Sequence, residues 1–206
     1  MVVGIAAVLT MTAAILLPSC NSNGNAEGET TLERIQRTGV VRIGYAHEAP
    51  YAFQDPSTGE VTGEAPQIAK HILEDMGIEE VEGVLTQFGS LIPGVKANRF
   101  DVIAAGMYIK PQRCEQVDFS NPTYKVGESF AVQAGNPHDL HSYEDVKNNP
   151  DVTMAVVNGA IEQRYAEEVG IPDDQVERLP DHSTAFAAVK TGRVDAYAGT
   201  ALTIQN

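Results

Sequence analysis

The sequence predicts an α/β protein of two similar lobes, each a mainly parallel sheet covered by helices. Three observations carry that expectation. Short apolar runs alternate with amphipathic stretches from residue 31 onward, the pattern of strands linked by crossover helices. The alternation lapses around Asn136-Pro137 and then restarts. The segments VKANRFDVIAAG and VKTGRVDAYAG, one in each half, both end a helix at Asn or Gly and then place Arg, an apolar residue and Asp before a short strand. A chain of 206 residues is long enough for two small lobes with their own cores.

The elements follow in order. Thr31 caps a short helix, LERIQRTG, that Gly39 ends. VVRIGYA reads as a strand, followed by a loop from His47 to Gly63. In EAPQIAKHILEDMG the apolar residues Ile68, Ala69, Ile72, Leu73 and Met76 keep helical spacing up to Gly77, so they are expected to face a core. Strand EVEGVLT, helix LIPGVKANR and strand DVIAAG complete the first set. The extended run KVGESFAVQAG leads away from it, which places lobe 1 at residues 30–131 and lobe 2 at 132–206. The second set comprises helix SYEDVKNN, strand VTMAVV, helix AIEQRYAEEVG, strand QVERL, helix STAFAAVKTG and strand VDAYAG.

The first 20 residues are of a different kind. Val2 to Cys20 carry no charge and end in Leu17-Pro18-Ser19-Cys20 before a polar Gly/Asn-rich stretch. This Leu-x-Ser-Cys ending resembles a bacterial lipobox, so residues 1–20 are expected to be a lipoprotein signal with Cys20 lipidated, and 21–29 a flexible tether. A retained anchor and an ordinary cleaved signal are the alternatives, and a basic stretch before the apolar run is missing. The remaining Cys114 has no second cysteine to pair with, and reads as a small buried residue in a helical turn rather than a nucleophile. The formal net charge of −14 argues against nucleic acid or an anionic membrane surface as partner.

The chemistry concentrates just past the strand ends, where α/β sheets place ligands. The loop YAHEAPYAFQD offers Glu48, Tyr51 and Phe53, with Phe53 the better candidate for the core. TQFGSLIPG offers Phe88 at a helix start, and GMYIKPQR offers Tyr108 and Arg113 after Gly106. Converging, these loops supply an arginine fork for a carboxylate, rings for a diffuse cation and Glu48 to neutralise it. The complementary ligand is a small zwitterion. The competing reading of Arg113 is an ion pair with Glu115 or Asp118. Five scattered histidines, two of them in HDLH, give no convincing metal site, and neither a phosphate loop nor a nucleophile elbow occurs. No cofactor is expected.

The motifs FDVIAAGMYIKPQR and VDFSNPTY resemble those of the amino-acid-type, family 3 extracellular solute-binding proteins of ABC importers, over residues 30–206. The stretches EAPYAF, GEAPQIAKHIL, SLIPGVKANRFD and GMYIKPQRC are most similar to ectoine- and hydroxyectoine-binding proteins. The resemblance implies a two-lobed type II binding fold and an extracytoplasmic, lipid-anchored monomer that serves an ABC permease and ATPase. It also implies an aromatic box of Tyr51, Phe88 and Tyr108, with Glu48 and Arg113, around a compatible solute. Thr200 stands where relatives that bind α-amino acids carry an aspartate for the ammonium, and Ile161 stands where a threonine is common. The backbone around Gly159 is left to meet a carboxylate. Relatives also return to lobe 1 after the VDA strand, so this sequence reads as lacking that C-terminal return. Binding of a polar amino acid and a periplasmic cyclohexadienyl-dehydratase-like reaction, with Glu48 as acid–base, are the alternatives.

Overall fold

The structure is a computed structural model and describes residues 28–206; the expected signal, Cys20 and most of the tether lie outside the described residues. Helix α1 (Thr31–Thr38) starts at Thr30, one residue earlier than expected, because Thr30 and Glu33 satisfy each other's backbone N–H groups in a capping box. Gly39, at φ 73°, ends it in the left-handed conformation and turns the chain into β1 (Val40–Tyr45). The hairpin β2 (Phe53–Gln54) and β3 (Val61–Thr62), α2 (Glu64–Asp75), β4 (Glu80–Leu85), α3 (Leu91–Lys96), β5 (Val102–Ile103) and the short α4 (Pro111–Cys114) follow. Next come β6 (Glu128–Val132), α5 (Tyr143–Asn148), β7 (Met154–Val157), α6 (Ile161–Val169), β8 (Val176–Leu179), α7 (His182–Thr191), β9 (Ala196–Thr200) and α8 (Ala201–Gln205).

The strands form two separate larger sheets, as the repeated alternation implies. The first is parallel, in the order β4-β1-β5; the second runs β6-β9-β7-β8, parallel except for β6 against β9. The run ESFAV, expected at the end of lobe 1, is an edge strand of the second sheet. Phe130 and Val132 pack on that sheet's core, so the chain leaves the first sheet before residue 128. The echoed aspartates do the same work in both lobes. Asp101 accepts the backbone N–H of Arg42 at 2.9 Å, and Asp195 accepts that of Thr153 at 2.8 Å, each tying a returning strand to the entry of its neighbour.

Ile35, Val41, Ile43, Leu73, Ile78 and Ala104 fill the first lobe, and Leu140, Val146, Val152, Met154, Val156 and Ala166 the second. A third cluster joins the lobes, from Phe88, Leu91 and Phe100 across to Ala155, Val157, Leu179 and Tyr197. Two expectations give way here. In α2 the row Ala65–Ala69–Leu73 faces the sheet, and the row Ile68–Ile72–Met76, about 100° further round, is left exposed. Cys114 is exposed on α4 rather than buried, because that four-residue helix buries none of its residues.

Asp101 is the lobe-1 residue whose loss should cost most outside the cores. Its side chain, 3 % exposed, holds Arg34 at 2.6 Å and Arg42 at 2.8 Å. Burial would raise its pKa, but the hydrogen bonds from Arg42 and Arg34 outweigh this and hold it below the usual range. The stability it supplies is therefore present above the ordinary carboxylate pKa and lost as pH falls through the depressed value. Asp101→Ala should lower unfolding free energy by about 3 kcal/mol in urea titrations at neutral pH, and the deficit should shrink in acid.

Candidate functional site

The loop after β1 is folded back by two backbone hydrogen bonds between Glu48 and Ala52, at 2.7 and 2.9 Å. This turn sends the Glu48 carboxylate out of lobe 1 and into lobe 2. There Thr203 Oγ1 donates to its Oε1 at 2.7 Å, and Thr200 and Thr203 share a hydroxyl contact of 2.8 Å. His182 Nε2 approaches the other carboxylate oxygen at 3.1 Å, off the line of a good hydrogen bond, while its Nδ1 meets the Tyr197 hydroxyl. Glu48 is thus a buried bridge between lobes, 7 % exposed. Thr200, at the N-cap of α8, supports that bridge.

Aromatic rings line the space beside it. Tyr51 stacks on Tyr124 with centroids 5.6 Å apart and planes 12° from parallel. Gly106 makes this possible: its φ is +62°, and a Cβ there would lie 2.8 Å from the Tyr124 hydroxyl and 3.1 Å from Tyr51 Cβ. Tyr108 donates its hydroxyl to Glu128 Oε1 at 2.8 Å across the gap between lobes. From lobe 2, Tyr143 sits edge-on to both Phe130 and Tyr165. Burial, reinforced by neighbouring carboxylates, pushes the hydroxyls of Tyr108, Tyr124 and Tyr143 well above the ordinary phenol range. The hydroxyls of Tyr51, Tyr124 and Tyr143 and Glu128 Oε2 are buried without a hydrogen-bond partner. Such groups are costly unless something meets them.

Arg113 closes the other end. It donates to the Tyr108 carbonyl at 2.8 Å and, across the gap, to the Gly159 carbonyl at 3.1 Å, with its guanidinium 5.5 Å from the Phe88 centroid. Neither Glu115 nor Asp118 pairs with it among the described residues. Burial depresses its pKa, and the nearby Glu162 charge works in the opposite direction. Lys110 reaches the Tyr165 hydroxyl at 3.2 Å. A groove of about 520 Å³ opens here, lined by Lys110, Arg113, Gly159, Ile161, Gln163 and Arg164 among others. The Gly159 N–H, expected to face a carboxylate, points instead to Gln163 Oε1 at 3.2 Å.

The structure therefore gathers Glu48, Tyr51, Phe88, Gly106, Tyr108, Arg113, Gly159 and Thr200 along one interlobe surface. Phe88 lies under Arg113 and is part of the joining cluster, while Tyr51 and Tyr108 lie toward the carboxylates. Sequence reasoning missed Glu128, Glu162, His182, Thr203 and Tyr124. Glu128 stands alone in an apolar strand, which is a legible signal. Glu162 in the first turn of α6 reads as a favourable partner for the helix dipole, so its burial was hidden. No group of residues suited to a metal ion occurs among the described residues, and none of their helices is long and apolar enough to cross a membrane.

The interlobe surface thus has a basic residue at one end and acidic, tyrosine-lined walls at the other. The comparisons with known proteins give the family. Residues 41–170 match the family described as bacterial extracellular solute-binding proteins, family 3, and the chain belongs to it. It is 43 % identical over 178 residues to a probable amino-acid ABC transporter periplasmic-binding protein of Sinorhizobium fredii, covering 85 % of this chain and 58 % of that protein. It is 30 % identical to the glutamine-binding protein GlnH of Bacillus subtilis, over 92 % of this chain and 71 % of that one. Among solved structures, EhuB in complex with hydroxyectoine superposes with a TM-score of 0.81 at 36 % identity, over 85 % of this chain and 68 % of that chain. The ancestral amino acid-binding protein AncCDT-1, a precursor of cyclohexadienyl dehydratase, gives 0.76 at 32 %, over 84 % and 75 %.

Two glycines, Gly89 and Gly159, face each other across the lobes. Gly159 has φ +78°, and a Cβ on it would lie 2.7 Å from Gly89 Cα. Gly159→Ala should therefore hold the lobes apart and break the Arg113 contact. Small-angle scattering should show a larger radius of gyration than wild type, with the melting temperature also lowered because Ala is strained at that φ. An unchanged radius would contradict this placement of the lobes.

Proposed function

We propose that the chain is the extracytoplasmic solute-binding component of an ABC importer and captures a small zwitterionic compatible solute, ectoine or hydroxyectoine, between its lobes. The observation that carries this is Arg113, held between two carbonyls and a phenyl ring with no carboxylate partner among the described residues. A planar guanidinium in that setting suits a ligand carboxylate. Tyr51 and Tyr108, with Glu48 behind them, suit a diffuse, weakly hydrated cation. Hydroxyectoine is bound by EhuB, the solved relative at 36 % identity, and joins a carboxylate to a delocalised amidinium. In this reading the protein works as a monomer on the outer side of the membrane, tethered through a lipid on Cys20, and hands its ligand to a permease driven by an ATPase. It binds without turnover and needs no cofactor.

A polar amino acid is the second reading, favoured by the glutamine-binding relative. Thr200 argues against it. At the end of β9 it offers a hydroxyl already engaged by Thr203, not a carboxylate for an α-ammonium.

Calorimetric titration of hydroxyectoine and glutamine separates the two readings. Arg113→Ala should weaken hydroxyectoine binding by about 30-fold or more, since a half-buried charged donor is removed. Arg113→Lys should fall nearly as far, because a point charge does not reproduce the fork. Intact affinity in Arg113→Ala would end the carboxylate-clamp assignment, and tighter binding of glutamine than hydroxyectoine would favour the amino acid.

A further inference from the structure

The strongest unassigned feature is a pair of carboxyl groups from lobe 2. Glu128, on edge strand β6, has one oxygen bound by Tyr108, and its other oxygen is buried with no basic or hydroxyl donor, facing only the Glu162 carboxyl. Glu162, in the first turn of α6, is 4 % exposed, and its carboxyl lies against that of Glu128. Neither forms a salt bridge with a basic side chain among the described residues, unlike Glu48, which has Thr203 donating to one oxygen and the His182 ring beside the other. A second sign of a missing partner lies beside the pair. Tyr51 is 97 % buried by its 3 % exposure, yet its hydroxyl has no well-formed hydrogen bond, with the Thr200 hydroxyl its nearest polar neighbour, and it lies within reach of the Glu48 and Glu128 charges.

We propose that Glu128 and Glu162 form the subsite that receives the ligand's cation, and that the ligand class is a carboxylate joined to a planar, delocalised cation of the amidinium or guanidinium kind. Glu48 then serves as the bridge that fixes the lobes. The argument rests on the zwitterion reading above and sharpens it. A planar cation presents N–H donors along its edge to two acceptors at once and its faces to aromatic rings, and both are present here. A compact, strongly hydrated ammonium would use the rings less well.

The pair also sets a pH dependence. Burial first, and the adjacent Glu128 charge second, push the Glu162 carboxyl well above the ordinary range. The groups that face it are Glu128 from β6, Glu48 from the loop after β1, Tyr108, Arg113 on α4, Tyr143 on α5 and Tyr197 on β9. Arg113 is the one cation among these, and it is not paired with Glu162. An arriving cation favours the charged carboxylate, so binding releases a proton to solvent. Affinity should then rise with pH until the raised value is passed. In the unliganded protein the sign is opposite: stability present below the ordinary carboxylate pKa is lost as pH rises through the raised one.

The test follows glutamate side-chain carboxyl resonances by NMR against pH, in protein alone and with hydroxyectoine or guanidinium chloride at sub-denaturing concentration. Glu162→Gln and Glu128→Gln assign the signals. The proposal expects one carboxyl to titrate well above the others in the free protein and to move down with either cation. It expects each variant to bind hydroxyectoine about tenfold or more weakly at pH 8 and to lose most of the pH dependence. If guanidinium shifts the carboxyl and hydroxyectoine does not bind, the subsite stands and the compatible-solute reading fails. If hydroxyectoine binds wild type and both variants equally, the subsite is wrong and the functional reading survives. A Glu162 carboxyl that titrates in the ordinary range, unmoved by either cation, would also overturn it.

Discussion

Everything at the interlobe surface follows from charge buried between two lobes and only partly matched. Arg113 has carbonyls and a ring but no carboxylate; Glu128 has one hydrogen bond and one vacant oxygen. Burying unmatched polar groups costs free energy that a folded protein must recover elsewhere. Here the recovery comes from the joining apolar cluster, in which Phe88, Leu91 and Phe100 meet the second lobe. That arrangement leaves the cost resident at the site, where a molecule of complementary charge relieves it.

The lobes differ in what they bring. Lobe 1 contributes the loops after its strand ends: Glu48 and Tyr51, Phe88, and Tyr108 with Arg113. Lobe 2 contributes an edge strand and two helix starts, through Glu128, Glu162 and His182. The cross-lobe hydrogen bonds and close polar contacts join these loops to lobe 2: Glu48 with Thr203 and His182, Tyr108 with Glu128, Arg113 with Gly159, Lys110 with Tyr165. Opening the cleft breaks all of them together, so the closed form is cooperative in these contacts.

Much of this was legible in the sequence, for identifiable reasons. Two separate α/β sheets followed from alternation and from the twin aspartates, whose roles at Arg42 and Thr153 are local and repeat with the motif. The lobe-1 site residues could be found because they follow strand ends in sequence. Of the lobe-2 residues, Gly159 and Thr200 came through the family resemblance, while Glu162, His182 and Thr203 did not emerge, because their place at the site depends on how the lobes meet. His182 is about 130 residues from Glu48, and nothing in its own neighbourhood marks it. The run containing Glu128 was read as the crossover itself, with the lobe boundary at 131/132, whereas it already pairs as an edge strand of the second sheet. Ile68, Ile72 and Met76 were read as core because periodicity gives the presence of an apolar face, not which of two adjacent rows a sheet will cover.

The central claim is that a ligand carboxylate completes the Arg113 end while a diffuse cation completes the tyrosine–carboxylate end. Isothermal titration of the wild-type protein with hydroxyectoine and with its carboxamide, which keeps the amidinium but has no carboxylate, addresses it most directly. The account predicts measurable binding of hydroxyectoine and an affinity for the carboxamide lower by about 30-fold or more, the scale of one lost charge-assisted contact at a half-buried arginine. Equal affinities would show that the arginine is not the ligand's partner and would contradict it.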